Sequence, residues 1–353
     1  MTLIKKSSTM KIIHFLFYFM YPVTSGCALL FNSSIYSQTA NLTFERITTK
    51  DGLSHSTVSY IIQDKKGFMW FATFDGINRY DGYSFKIYRH IENDSSSLSD
   101  NGSFFLYEDN DGYIWVINNA NAGLDKFDPE TETFAHFRHN PEDSTSISSN
   151  VIFSINQDRS GNIWICTDNA LNLIVNKRFN NKTVTCFKRF YNTTNTLPFT
   201  NTYENDNGKL LLFADYLYYF DRKNNKILKT DVVLTNSNIV SVTKDAEGYL
   251  WITSDLNGII KLFYNKKTDR YERADPGKVN VTPNNRNYIL IDNKDRIWIA
   301  TESKGLFQYI GKEDRLINFI NNKTDPISIS DNTIYSLYID RSGVLWIGTF
   351  SQG

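Results

Sequence analysis

The chain has 353 residues, with 38 Lys and Arg balanced by 38 Asp and Glu, so its formal net charge is zero. Neither sign gathers into a block, which excludes the electrostatic footprint of a nucleic-acid binder and leaves a neutral or locally recognised ligand. Aromatics make up 15% and Pro only 7 residues; with Asn, Asp, Gly, Ser and Thr between short apolar runs, this suits many short strands joined by turns.

In chain order, Lys5, Lys6 and Lys11 precede an apolar stretch from Ile12 to Val23, and small and polar residues follow up to Ala40. That order reads residues 1–40 as an export segment, with cleavage expected near Ser37. Counted from Ile12 through Phe31, the same run approaches the length of an uncleaved N-terminal membrane anchor. Both readings export 41–353. Thr24-Ser25-Gly26-Cys27 has the outline of a lipoprotein box, but Thr24 stands where a large aliphatic residue belongs.

From Lys50 onward one phrase recurs, Asp-x-x-Gly-x-(Ile/Leu/Met)-Trp, and all six tryptophans end a copy of it: Trp70, Trp115, Trp164, Trp251, Trp298 and Trp346. The intervals are 45, 49, 87, 47 and 48 residues, so the third hides a degenerate copy, Asn205 to Leu211, in which Leu211 replaces Trp. Such self-similarity overrides length as a guide to domain count. In the second copy Phe104–Asp109, Tyr113–Ile117, Gly123–Asp128 and Phe134–Arg138 read as four antiparallel strands, the unit of a propeller blade. An indole at a fixed place in each second strand then wedges one blade against the next, with Leu211 as its smaller substitute. Asp295 occupies the Gly slot of the sixth copy, where Asp tolerates a left-handed backbone better than most residues.

Blade-to-blade connections recur as well, in 94–101, 143–150 and 325–332, each carrying at the same place a Leu or Ile (Leu98, Ile147, Ile329) to plug the gap between blades. Phe44-Glu45-Arg46-Ile47 resembles a fourth-strand phrase, so the chain is expected to enter the ring on an outer strand. The expected fold is an all-β, seven-bladed propeller of four-stranded blades over 41–353, its seventh blade truncated because the chain stops at Gly353 before a third strand. The sequence therefore reads as a fragment of something longer.

Cys166 replaces the small residue seen as Ala72, Ala300 and Gly348, while Cys186 is expected to begin the outermost strand of the same blade. Two strands apart is beyond disulfide reach, so both thiols are expected to be free and buried. No nucleophile elbow, Walker loop, His-Glu-x-x-His or Cys-x-x-Cys occurs. No catalytic residue, metal ligand or cofactor is assigned. Glu108–Gly112 has the wrong spacing for a calcium loop, and His136 and His139 are expected at a strand end and its exit. Ligand-binding candidates are the short loops between second and third strands: Phe74, Asp75, Asn119, Asn121, Asp168, Asn169, Tyr216, Asp255, Asn257, Glu302 and Lys304. Their mixture of amides, carboxylates and aromatics suits a sugar.

Gly52-Leu53-Ser54-His55, Gln157 to Ile165 and Asp340 to Thr349 resemble the two-component regulator propeller repeats of hybrid two-component sensor histidine kinases, and the resemblance covers about 42–353. It weakens in the fourth copy and in the third, where Ala170-Leu171-Asn172 replaces Gly-Leu. The resemblance implies an exported, periplasmic sensor tethered to the inner membrane in a longer protein, where it forms a homodimer. It also implies detection of glycan-derived oligosaccharides or another small molecule, signalling to transcription, and no enzymatic activity in this region, since kinase, receiver and DNA-binding modules lie elsewhere. Alternatives from other classes are a propeller-type polysaccharide lyase or hydrolase, which needs converging His, Tyr and carboxylate groups at one mouth, and a ligand-free dimerisation scaffold.

Overall fold

The structure, a computed structural model, describes residues 2–5 and 42–351 apart from 120–121, 180–181, 192–197, 235–237, 255–257, 277–278 and 280–286. It contains seven four-stranded antiparallel sheets, six of them built from four consecutive strands. In blade one these are Val58–Gln63, Met69–Thr73, Gly76–Tyr80 and Phe85–Tyr88. In blade two they are Ser103–Glu108, Ile114–Asn118, Leu124–Asp128 and Thr133–Phe137, within two residues of the expected bounds. The first strand of each blade touches that of the next, and the last, Ile334–Ile339, returns to Val58–Gln63. The architecture is thus an all-β propeller, and no α-helix occurs among the described residues.

Each repeated phrase makes a tight turn between first and second strands. Asp64 accepts from the Phe68 N–H at 2.9 Å while the Gly67 N–H returns to the Asp64 carbonyl at 3.0 Å. Gly67 needs its φ of 100°, and Asp295, in the equivalent slot, adopts φ 60° as expected. The same Asp has a second task that sequence reading missed. Its other carboxylate oxygen accepts the indole N–H six residues on, at 2.8 Å from Trp70, Trp115, Trp164 and Trp346, 2.7 Å from Trp251 and 3.1 Å from Trp298. For Asp158, Asp292 and Asp340, burial raises the carboxyl pKa, but the indole and neighbouring donors outweigh it and hold the group below its ordinary value.

Seven hydrophobic clusters hold the ring together, each containing one of these indoles or Leu211 together with residues of the following blade. Trp70 packs on Phe127 of blade two, with ring centroids 5.3 Å apart, and Trp346 closes the circle on Phe71 at 5.6 Å. The connector plugs Leu98, Ile147 and Ile329 are fully buried, as expected. On the face carrying the Asp turns, backbone donors reach into the next blade: Lys65 to Glu108, Asn110 to Gln157, Arg159 to Glu204, and Arg341 back to Gln63.

Blade four swaps the partners rather than leaving them unpaired. Where Leu211 replaces the indole, Asn205 replaces the carboxylate and donates to the Tyr271 hydroxyl of blade five at 3.3 Å. A donor now stands where the acceptor was. In blade three, Cys166 and Cys186 are free and buried as expected, and burial pushes the Cys166 thiol up to about 12. The outer strand runs Lys182–Tyr191, however, so Cys186 lies within it opposite Val175 rather than at its start. The long hairpin with Ala170–Phe179 extends this strand beyond the repeat length.

Among the described residues the seventh sheet has the two expected C-terminal strands and draws its third from elsewhere in the chain. Its order is Thr43–Arg46, Thr2–Lys5, Leu345–Thr349, Ile334–Ile339. Thr43–Arg46 takes the outer place, as the fourth-strand phrase implied. The third place is held by Thr2–Lys5, antiparallel to both neighbours, with Leu3 opposite Trp346 and Glu45. Two strands flanking a gap present unpaired N–H and C=O groups, and an extended segment within reach satisfies both rows. The rest of the expected export segment lies outside the described residues.

Candidate ligand-binding mouth

The loops between second and third strands share one face of the ring, and in five of the seven blades a Thr or Ser hydroxyl stands at the end of the second strand, with Asn118 and Ala214 in the other two. Thr73 Oγ1 donates to the Gly76 carbonyl at 2.8 Å and accepts from the Asp75 N–H at 3.0 Å; Thr167 and Thr301 repeat the bond to the Ala170 and Gly305 carbonyls, also at 2.8 Å. Beneath them lies a recurrent polar floor. Ser54 shares hydrogen bonds with Asn78 and Thr73, and Ser148 does so with Asn172 and Thr167. A loop whose base is fixed this way can carry variable side chains at its tip.

Of the expected site residues, Phe74 and Asp75 are brought into a cluster. Phe74 is 39% exposed, and its ring lies 5.9 Å from His55 and 5.7 Å, edge to face, from Phe104. Asp75 is clasped by the Arg89 guanidinium at 2.9–3.1 Å. Beside them, Phe350 of blade seven packs edge to face on Tyr335 at 5.6 Å, and its carbonyl accepts from Thr57 at 2.6 Å. His55, Arg89, Phe104, Tyr335 and Phe350 were missed in the sequence. One signal was available: Phe350 follows Thr349 as Phe74 follows Thr73, whereas the other blades place Asn119, Asp168, Asp215, Asp255 and Glu302 there.

The remaining candidates sit in their own blades. Asn119 donates its N–H to Gly102 and accepts from Ala122, and Asp168 is exposed with its N–H on Val151. Asn169 is tied down by Ser148 and Thr167. Lys229 Nζ lies 3.3 Å above the Tyr216 ring, Glu302 is half-buried, and the Lys304 N–H donates to Thr301. Asn121, Asp255 and Asn257 lie outside the described residues. Toward the axis, the hydroxyls of Tyr60 and Tyr288 approach to 3.5 Å, and Phe105 lies against Tyr60 at 4.2 Å. Burial, first of all, raises both phenol pKa values, so the pair stays neutral.

His136 shows a partner that spacing did not suggest. Its Nδ1 lies 2.7 Å from buried Asp125 and 2.7 Å from Ser99 Oγ, and its Nε2 lies 2.9 Å from the Ser95 carbonyl. A Ser-His-Asp relay places hydroxyl and carboxylate on opposite ring nitrogens; here both meet Nδ1, so the trio is a structural tie. The Asp125 hydrogen bond outweighs burial and raises the imidazole pKa above its ordinary value. The stability this gives is complete below the unfolded pKa of about 6.5 and is lost as pH climbs through the higher folded value. The thermal midpoint should fall across that rise in the parent and stay flatter in His136→Gln; parallel curves would refute the tie.

Three segments, 52–75, 146–169 and 328–351, match the two component regulator propeller family model. The chain carries two-component regulator propeller repeats. A stretch of 66 residues is 48% identical to histidine kinase P4 of Formosa agariphila, covering 19% of this chain and 5% of that protein. Among solved structures, the extracellular domain of a putative hybrid two component system from B. thetaiotaomicron superposes with TM-score 0.72 at 24% identity, covering 88% of this chain and 41% of that one. Virginiamycin B lyase from Staphylococcus aureus gives TM-score 0.60 at 14% identity, over 84% of this chain and 93% of the lyase. At these identities both show a shared fold. The chain therefore spans about two fifths of the two-component domain and a small part of the kinase.

Proposed function

We propose that the chain is the extracytoplasmic sensor region of a hybrid two-component histidine kinase, closing as a seven-bladed ring in the intact protein. In this reading it detects oligosaccharides released from glycans and signals across the membrane to transcription. The observation that carries it is the in-register propeller repeat together with the 48% identity to a histidine kinase. The mouth supports a sugar-like ligand, since Phe74 and Phe104 offer ring faces beside an Asp75–Arg89 pair whose charges cancel. The sensor reading places no catalysis in this chain.

Residues 1–40 act in this reading as a cleaved signal or an uncleaved anchor, so Thr2–Lys5 gives up its place in the seventh sheet on export, with the ring in the periplasm and a homodimer forming through the whole sensor. No helix among the described residues is long and apolar enough to cross a membrane. The test is genetic. A strain lacking the gene, grown on single purified glycans, should lose induction of glycan-degrading genes on one of them. Transcript profiles matching the parent on every glycan would reject glycan sensing.

A further inference from the structure

Blade four's missing indole leaves more than a changed hydrogen bond. Between blades four and five lies a cleft of about 550 Å³ with Leu211 on its wall. That volume falls within the range of small-molecule sites, about 300–1,000 Å³. A shallower groove lined by Asp231, Val232, Arg270 and Tyr271 continues it across the outer strands Lys226–Val233 and Arg270–Ala274.

The lining is chemically specific. Tyr219, Tyr264 and Tyr271 all line it, the last two with ring centroids 5.3 Å apart. Four of its five charges are paired, Lys209 with Asp269 at 2.9 Å and Arg270 with Asp231 at 3.1 Å, and the fifth, Lys229, lies over the Tyr216 ring. Tyr264 also hydrogen-bonds Asp269. Burial, chiefly, pushes the Tyr271 phenol up to about 12, so it stays protonated, and while it accepts from Asn205 its own proton remains to be donated. An ionic ligand would meet no more than one unbalanced charge here, that of Lys229. A ring with an apolar face and a polar rim finds tyrosine faces together with donors and acceptors already held by each other.

We propose that this interblade cleft is a carbohydrate subsite that takes one neutral pyranose ring of an oligosaccharide, in the space that an indole fills at the other blade interfaces. The proposal rests on the glycan-sensing reading for its ligand class and adds a second location, apart from the Phe74 and Asp75 cluster.

The probes are cellobiose, maltose, xylobiose and galactobiose, with indole as an apolar comparison, each added to the full chain. Nitration of tyrosines by tetranitromethane, read peptide by peptide by mass spectrometry, should fall several-fold at Tyr219 and Tyr264 with at least one disaccharide. Tyr83, which is 95% exposed, serves as the reference and should be unaffected. The double variant Asn205→Asp/Leu211→Trp restores the pairing of the other blades and fills the cleft, so calorimetry should show the protecting sugar bound about tenfold more weakly or not at all. Tyr219→Ala, which leaves the Asn205–Tyr271 bond in place, should weaken it similarly if the double variant fails to fold. Protection by indole alone, or by no probe, overturns the subsite and leaves the genetic test of glycan sensing standing. Sugar affinity unchanged in both variants overturns it too, and moves the sugar to another surface such as the mouth.

Discussion

Trp115→Ala should lower stability by about 3–5 kcal/mol, the cost of a large buried side chain whose cavity cannot collapse. Trp115 is 1% exposed, in one cluster with Phe187 and Ile155 of blade three. Its loss also leaves Asp109 Oδ2 without the indole donor at 2.8 Å, adding about 1–3 kcal/mol for an orphaned buried acceptor. Blade four supplies a control built into the chain. Trp115→Leu with Asp109→Asn copies the Leu211 and Asn205 pair, so the double variant should be more stable than the sum of the single effects implies. A double-mutant cycle by chemical denaturation measures that coupling. A coupling of zero would mean that the carboxylate and the indole are neighbours without mutual dependence.

Gly348→Ala is the second large effect. A Cβ there would come within 2.3 Å of Ser336 Oγ and 2.7 Å of the Val58 carbonyl. Ser336 is a side chain that can rotate; Val58 is backbone of blade one and cannot step aside without opening the junction between last and first blades. Overpacking of this kind costs about 1–3 kcal/mol. The same methyl is native in Ala72 and Ala300, so the penalty belongs to the closing junction rather than to the repeat. Differential scanning calorimetry should show a lowered midpoint for Gly348→Ala, and an unchanged one would mean that the junction has slack.

The repeat made most of the fold legible. Core positions must recur in every blade, so Trp70 to Trp346, the plugs Leu98, Ile147 and Ile329, and the outer strand Thr43–Arg46 could be found by comparing the chain with itself. The site was less legible for the same reason inverted. Residues that confer specificity are those that depart from the repeat, and only Phe74 among the exposed mouth aromatics was singled out, although Phe350 departs at the equivalent position. Partnerships across blades were also hidden. Asn205 with Tyr271 and Arg341 with Gln63 join positions far apart in sequence, and no local periodicity encodes them. Thr2–Lys5 was unreadable as a strand because its pairing depends on a gap elsewhere in the sheet.

The outer strand Thr43–Arg46 is synthesised first among the strands from residue 42 onward, yet its sheet includes Leu345–Thr349, and Arg46 reaches Ser328 across 282 positions. During translation this segment waits, extended and apolar on one side, until nearly the whole ring exists. Contacts of such separation slow folding, because the entropy of closing a long loop is lost before any contact repays it. Maturation should therefore have two kinetic stages, fast assembly of individual hairpins and a late latching step. Any factor that guards unpaired strands would act in the interval between them.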